Sequence, residues 1–387
     1  MTKIRSPKVI SWNADQRALR DGLAEWYEAL SADHVEQDAS GVFPWDKWKL
    51  IKECGILRLP FEERLGGLGQ NLRTTMYILE GLGYGCRDGG LNFSVSTHMV
   101  STGIPVQNFG SADLKARYLP AICAGDTIGA HAITEPDGGS DVLAMRTRAR
   151  RDGDHYVLDG SKTFVSNGAV ADLFVVYAKT HPDAGPLGLT AFLVERGTPG
   201  FDIGNPIAKM GLRTSPLTEL FFHECRVPVD NVVGRPGGGF IVLDHVMKWE
   251  ILCSFVINLG EMEHRLERCI EYARTRNQFG APIGSFQAIS HKIADMKVGV
   301  EVTRKCLFDA AEAVVENRNV TIDLAIAKLV ASEHNLASAA AAVQIFGGNG
   351  YMTEYGLEKD LRNAFAGTIY SGTSEIQRNR ISSMLGL

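Results

Sequence analysis

One glutamate stands where its surroundings call for an apolar residue. From about Ile241 to Asn277, apolar side chains recur at helical spacing: Leu243, Val246, Met247, Leu252, Phe255, Val256, Leu259, Met262, Leu266, Ile270 and Ala273. Glu250 shares that run, with Val246 and Met247 one turn before it, Cys253 and Ser254 one turn after, and Ile257 two turns on. A carboxylate so placed is paired, turned out to water, or kept for chemistry. Kept from water, a carboxylate binds a proton more readily and can act as a general base near neutral pH. Helix glutamates are usually solvated, so from this helix alone the surface reading has precedence.

The elements that must hold such a base come from 387 residues, enough for more than one domain and a large core. With 45% hydrophobic and 22% charged residues, the composition is that of a folded globular protein. A net charge of −5 leaves no basic footprint, which argues against a nucleic-acid partner. No apolar run reaches the length of a membrane span. Met1 to Asn13 is polar and broken by Pro7, without the apolar centre of a secretory signal or the Arg- and Ser-rich character of a transit peptide. The 7 cysteines are scattered and form no Cys-x-x-Cys pair. They read as reduced thiols of a cytoplasmic protein, with neither a zinc site nor a disulfide frame.

The pattern divides the chain into three. Residues 1–127 are mostly helical, with helices expected over Arg17 to Leu30, Phe43 to Cys54, Leu72 to Tyr84, Leu91 to Phe109 and Asp113 to Cys123. The glycine-rich Leu65-Gly66-Gly67-Leu68-Gly69 has no strand before it, so it reads as a loop and not a phosphate cradle. Over residues 128–238, short β-branched stretches alternate with turns. His155 to Leu158 and Thr163 to Ser166 flank Asp159-Gly160, which predicts a hairpin. Leu173 to Ala178, Leu189 to Val194 and Leu217 to Phe222 are further expected strands. Residues 239–387 return to helix: the run bearing Glu250, then Phe286 to Asn317, Ile322 to Phe346 and Ser374 to Met384. The expected architecture is mainly α, with a central small β domain.

Four motifs follow one another along this frame. The first is Ala132-Ile133-Thr134-Glu135-Pro136-Asp137-Gly138-Gly139-Ser140-Asp141. The second is Tyr272-Ala273-Arg274-Thr275-Arg276-Asn277-Gln278-Phe279-Gly280, with Phe286-Gln287-Ala288-Ile289 and Ala294-Asp295-Met296 after it. The others are Gln344-Ile345-Phe346-Gly347-Gly348-Asn349-Gly350-Tyr351 and Tyr370-Ser371-Gly372-Thr373-Ser374-Glu375-Ile376-Gln377. In this order, over nearly the whole chain, they resemble the acyl-CoA dehydrogenase family.

The resemblance implies a homotetramer in which a helical domain, a small β-barrel and a C-terminal four-helix bundle hold FAD between the barrel and the bundle. Ile133, Thr134, Gly139 and Ser140 would line the flavin or the pantetheine arm of a substrate. Phe164 and Ser166 would lie against the isoalloxazine ring. Arg276, Gln278, Phe279 and Gln287 would hold the pyrophosphate and adenosine from a neighbouring subunit, as would Gln344 and Gly348. Thr373 and Glu375 would touch the flavin from the C-terminal end, and Ser140, Trp249, Ser371 and Gly372 would meet the substrate. The residue types suit those tasks, an arginine fork for a pyrophosphate and hydroxyls for the polar edge of the ring. Each also has a plainer reading: Ser140 as a turn residue, Gln344 as helix surface, Gly348 as part of a helix stop, Phe164 as barrel core.

The chemistry implied is α,β-dehydrogenation of an acyl thioester, in which a carboxylate takes the α-proton and the β-hydride goes to flavin N5. Charge building on the thioester oxygen needs hydrogen bonds, which the resemblance assigns to a flavin ribityl hydroxyl and the backbone amide of Ser371. Many members carry the base at the position of Ser371, and serine is no base near neutral pH without an activator. A smaller branch, with isovaleryl- and long-chain-type enzymes, carries it ten residues before a glycine of the first helix in the C-terminal domain. Glu250 stands at that distance from Gly260. The acid missing at Ser371 and the acid out of place at Glu250 explain each other, which reverses the surface reading.

One departure is Ile251, where the family usually has arginine after the base. A different acyl group, or one tethered to a carrier protein such as a prolyl group, is the implied consequence. CoA and carrier protein present the same pantetheine arm. The expected electron acceptor is an electron-transfer flavoprotein. A flavin monooxygenase or oxidase on the same fold, and a scaffold that kept the fold without the chemistry, are the rival readings.

Overall fold

The computed structural model describes residues 11–387, so most of the polar N-terminal stretch lies outside the described residues. Helix α1 (Ala14–Gly22) opens on a reciprocal cap between Asn13 and Gln16. After two short helices, Tyr27–Ser31 and His34–Ser40, come α2 (Trp45–Glu53) and α3 (Leu72–Gly85). Helix α4 runs through three consecutive stretches, Gly89–Ser96, Thr97–Gly103 and Ile104–Phe109, and the middle one is π-helical. Pro105 lies just beyond that segment and has no N–H to return to the preceding turn, which favours a local departure from the α ladder. Helix α5 (Ala112–Ala124), capped by the Ser111 side chain, completes the first part.

Eight strands follow: β1 (Gly129–Ala132), β2 (Arg148–Asp152), β3 (His155–Ser166), β4 (Leu173–Lys179), β5 (Leu189–Glu195), β6 (Phe201–Ile203), β7 (Leu217–Pro228) and β8 (Val232–Val233). They pair in the order β6-β7-β3-β2-β4-β5-β8, with β1 parallel to β4. The hydrogen-bonded path has two ends, β6 and β8, so the strands form an eight-stranded sheet and the expected barrel is not seen to close.

The expected hairpin at Asp159-Gly160 is also corrected. Strand β3 runs straight through it, and Gly160 sits in a bulge where the register against β7 shifts. Its φ is +144°, and an added Cβ would meet the Thr147 side chain at 2.6 Å. The turn falls earlier, at Gly153-Asp154 between the paired Asp152 and His155.

The C-terminal part is built on α6 (Gly239–Thr275), 37 residues long. Helices α7 (Gln287–Val315) and α8 (Thr321–Phe346) pack against it, and α9 (Leu357–Ala366) and α10 (Ser374–Met384) lie on α8. Helix α9 was not among the expected elements.

Helix α6 also lies against α3 of the N-terminal part, and glycines set how closely. A Cβ on Gly260 would stand 2.1 Å from the Glu80 carbonyl oxygen, and one on Gly83 would stand 2.0 Å from that of Ile257. Both clashes are with backbone, which cannot swing aside as a side chain can. Gly260→Ala is therefore expected to cost about 2–3 kcal/mol of stability, read as a lower midpoint in urea, despite alanine's better helix propensity.

Close by is a buried ionic cluster. Asp360 accepts from Arg87 at 2.8 Å and from Lys359 at 2.9 Å, with the Arg265 guanidinium 4.0 Å away. Its side chain is 8% exposed.

Candidate active site

Glu250 lies on α6 with its side chain 19% exposed. Its Oε2 accepts from the Ser101 hydroxyl at 2.8 Å, and its Oε1 accepts from the Ser371 hydroxyl at 2.5 Å. Ser101 comes from the π-helical stretch of α4, and Ser371 from the turn before α10. The His131 Nδ1 on β1 stands 3.7 Å from Oε2, and its Nε2 is 3.2 Å from the Tyr177 hydroxyl on β4. Among the described residues no lysine or arginine pairs with this carboxylate. Glu135, in the first motif, is the contrast. It is bonded by the buried Lys162 ammonium at 2.8 Å and by the Thr147 N–H at 2.9 Å. Burial would raise the Glu135 pKa, but the Lys162 charge and these hydrogen bonds bring it below the usual carboxylate value.

The turn bearing Ser371 is held in a fixed shape. Ser371 has φ +55° and Gly372 +86°, a left-handed pair in which the serine is strained. The buried Gln377 amide donates to the carbonyls of both, each at 3.1 Å. The Ser371 backbone N–H finds no acceptor among the described residues. Trp249 is half-buried against the core, and Ile251 is 1% exposed. An arginine at 251 would carry its charge into that core.

The polar groups around the base are neutral. Burial lowers the His131 pKa from 6.5 to about 4, against the pull of Glu250. Burial also raises the Tyr177 and Tyr370 hydroxyls well above the ordinary tyrosine value, with the Glu250 charge adding to both. His98, 0% exposed, is likewise lowered to about 4 by burial. Both histidines therefore take up protons more readily in the unfolded chain, and stability falls as pH drops from about 6.5 through about 4. Thermal melts across that window are expected to lose several kcal/mol of stability, and flat melts would contradict the burial of these two rings.

The remaining expected site residues fall into two groups. Ile133 and Thr134 are half-buried just after β1. The Thr134 carbonyl accepts from the Thr163 N–H at 2.8 Å, which ties the first motif to the stretch of β3 carrying Phe164 and Ser166. Phe164 is 62% exposed at φ +56° between buried Thr163 and Val165, so the core reading of this ring fails. Ser166 is half-buried, while Gly139 and Ser140 are exposed.

The second group is on open surface. Arg276, Gln278 and Phe279 stand on a hairpin pairing Asn277–Gln278 with Ala281–Pro282 just beyond α6. Phe279 is 95% exposed at φ +51°. Gln287 at the start of α7, Gln344 near the end of α8, and Gly348 are exposed as well. The Thr373 side chain caps α10 by accepting from the Ile376 N–H at 3.3 Å, and Glu375 is exposed.

This donor set fits FAD. An uncovered aromatic face at Phe164 with hydroxyls at Thr134 and Ser166 suits a flavin ring. An arginine and two amides on an exposed hairpin suit a pyrophosphate. Ser101, His131 and Tyr177 were missed from sequence. His131 did give a faint signal, a polar ring at the head of the first motif.

Residues 13–126, 130–225 and 237–386 match the N-terminal, middle and C-terminal domains of acyl-CoA dehydrogenase. An L-prolyl-[peptidyl-carrier protein] dehydrogenase of Pseudomonas fluorescens is 41% identical over 365 residues, covering 94% of this chain and 95% of that one. The solved structure of the prolyl acyl carrier protein oxidase AnaB is 39% identical with a TM-score of 0.95, covering 97% of this chain and 100% of its own. That of PigA with FAD and proline is 35% identical with a TM-score of 0.95, covering 98% and 99%. With all three domains matched along nearly its whole length, this chain belongs to the acyl-CoA dehydrogenase family.

Proposed function

We propose that this protein is an FAD-dependent oxidoreductase that introduces an α,β double bond into an acyl thioester, with Glu250 as the base. The observation that carries the assignment of the base is the arrangement of its carboxylate, held by the Ser101 and Ser371 hydroxyls with no cation paired to it. An acid so held is oriented but not neutralised, which leaves it able to accept the α-proton. Bound FAD supplies the acceptor for the hydride that leaves the β-carbon. The backbone N–H of Ser371, without an acceptor among the described residues, lies in the same turn as the hydroxyl on Glu250 and is suited to the thioester oxygen, where charge develops. Thr134, Ser166 and Phe164 would hold the ring, and Arg276, Gln278, Phe279, Gln287, Gln344 and Gly348 the dinucleotide of a neighbouring subunit, in a homotetramer. Ile133, Gly139 and Ser140 would line the flavin or the pantetheine arm, Trp249, Ser371 and Gly372 would meet the substrate, and Thr373 and Glu375 would touch the flavin from the C-terminal end.

A second reading, in which the acyl group is a prolyl or other aminoacyl unit on a carrier protein, is favoured by the relatives, one named an L-prolyl-[peptidyl-carrier protein] dehydrogenase and another a prolyl acyl carrier protein oxidase. The cytoplasmic setting rests on seven free thiols, five of them buried. No helix among the described residues is long and apolar enough to cross a membrane.

The test is the anaerobic visible spectrum of the purified holoenzyme during addition of straight and branched acyl-CoAs, then of prolyl and other acyl groups on a carrier protein. Bleaching by an acyl-CoA supports the first reading, and bleaching only by a carrier-bound group supports the second. A flavin that no thioester bleaches contradicts both. Reoxidation by an electron-transfer flavoprotein against air then identifies the acceptor and separates a dehydrogenase from an oxidase.

A further inference from the structure

We propose that His131, with Tyr177 donating to its Nε2, is the positioning residue that holds Glu250 for proton removal, its Nδ1–H taking over from the Ser371 hydroxyl when substrate enters. The inference rests on Glu250 being the base. His131 and Tyr177 lie on the paired strands β1 and β4, with ring centroids 5.3 Å apart. The His131 side chain is 6% exposed, and Tyr177 is 0% exposed.

A tyrosine hydroxyl and a neutral imidazole can share a proton in either direction. If Tyr177 donates to Nε2, then Nδ1 carries the hydrogen and turns it toward the Glu250 carboxylate. If Tyr177 accepts, Nδ1 turns a lone pair toward that carboxylate, which is repulsive and weakly screened at this depth. The first arrangement is therefore the stable one: the Glu250 carboxylate selects it, and the Tyr177 hydroxyl completes it by donating to Nε2. Among the described residues the Tyr177 hydroxyl bonds this imidazole alone.

A third donor is needed because of where the first two sit. The Ser371 hydroxyl at 2.5 Å occupies one acceptor site of Oε1 and is the only group holding that oxygen among the described residues. Ser101 and His131 both lie on the Oε2 side. When the α-carbon of a thioester displaces the serine hydroxyl, Oε1 becomes the free oxygen, and the carboxylate is held through Oε2. A shift of about 0.6 Å brings Nδ1 within hydrogen-bond distance.

The test compares FAD-loaded His131→Phe, His131→Asn, Tyr177→Phe and Glu250→Gln with the parent enzyme. The probes are L-prolyl-pantetheine and isovaleryl-pantetheine, each with hydrogen or deuterium at the α-carbon. Measured are the anaerobic rate of flavin reduction at saturation, the half-saturating concentration and the α-deuterium isotope effect. A third probe, 3-thiabutyryl-pantetheine, has sulfur at the β position and no hydride to give, so uptake of deuterium from D2O at its α-carbon reports the proton step alone.

His131→Phe is expected to slow reduction and exchange about ten- to a hundred-fold, with half-saturation little changed and a larger isotope effect. Tyr177→Phe should move both readings the same way by less. His131→Asn, whose amide N–H can stand near the Nδ1 position, should recover part of the loss. Wild-type rates and isotope effect in His131→Phe would overturn the proposal. So would equal losses in the Phe and Asn variants with half-saturation rising in step, since the ring would then only fill space. If Glu250→Gln is dead while His131→Phe is normal, this inference fails alone. If Glu250→Gln keeps its rate, the base assignment fails first.

Discussion

Glu250→Gln is expected to lower the rate of flavin reduction by a thioester about a thousand-fold or more, with FAD content, oligomeric state and melting temperature unchanged. The amide has the size of the acid, and its carbonyl oxygen can still accept from the Ser101 or the Ser371 hydroxyl that now meet the carboxylate. What it cannot do is take a proton. A thousand-fold loss corresponds to about 4 kcal/mol at the barrier, a reasonable share for a base that nothing else in the site can replace. Ser371 occupies the alternative position, but its hydroxyl is itself a donor to Glu250. Anaerobic stopped-flow bleaching of the bound flavin gives the rate, and visible absorbance of the purified variant gives the FAD content. A variant that bleaches at the parent rate would remove Glu250 from the chemistry.

Asp360→Ala carries the largest expected effect on stability. The carboxylate sits between the Arg87, Lys359 and Arg265 cations. Burial by itself would raise its pKa, but these charges hold it far below the usual carboxylate range. Removing it leaves three cations in the interior with only Glu261, whose carboxyl pKa is raised by burial, as a nearby acid, at a cost of about 3–5 kcal/mol. That is a large part of the margin of an ordinary fold, so the variant should unfold at much lower urea or fail to accumulate. Arg87 lies between α3 and α4 while Lys359 is on α9, so the loss also loosens the N-terminal helices from the C-terminal ones. Asp244→Ala is the control. Its partner Lys248 lies one turn away at 2.6 Å, but the Asp244 side chain is 58% exposed, and removing it should cost less than about 1 kcal/mol.

The division into helix, sheet and helix was legible because the hydrophobic period changes where the elements do. Glu250 drew notice as an acid among the apolar residues of its helix, but it became a candidate base only through the resemblance, in which Ser371 stands where many members carry the acid. The Asp159-Gly160 turn was misread because the same dipeptide serves a tight hairpin and a bulge, and only the pairing of β3 with β7 decides between them. Strand β7 runs past Phe222 through His223 and Glu224, where a register shift breaks the alternation that marks a strand. Helix α9 escaped notice because Lys359, Asp360 and Asn363 are buried in it, so its inward face is polar. Ser101 reaches Glu250 across 149 residues of chain, and no local pattern records a contact made at that range. Whether the sheet closes was hidden for the same reason, since closure depends on which edge strands find each other.

The length of α6 has a mechanical consequence. Glu250 and the exposed hairpin beginning at Arg276 are carried by one uninterrupted rod, and the 26 residues between them span about 39 Å. If the hairpin serves the flavin of a neighbouring subunit, each rod is an axle between two catalytic centres, holding the proton acceptor of one and the phosphate clasp of the other. A tilt that improves one end then disturbs the other. Catalytic competence would then belong to the assembled oligomer, and a dissociated chain would lose the phosphate clasp of its own flavin.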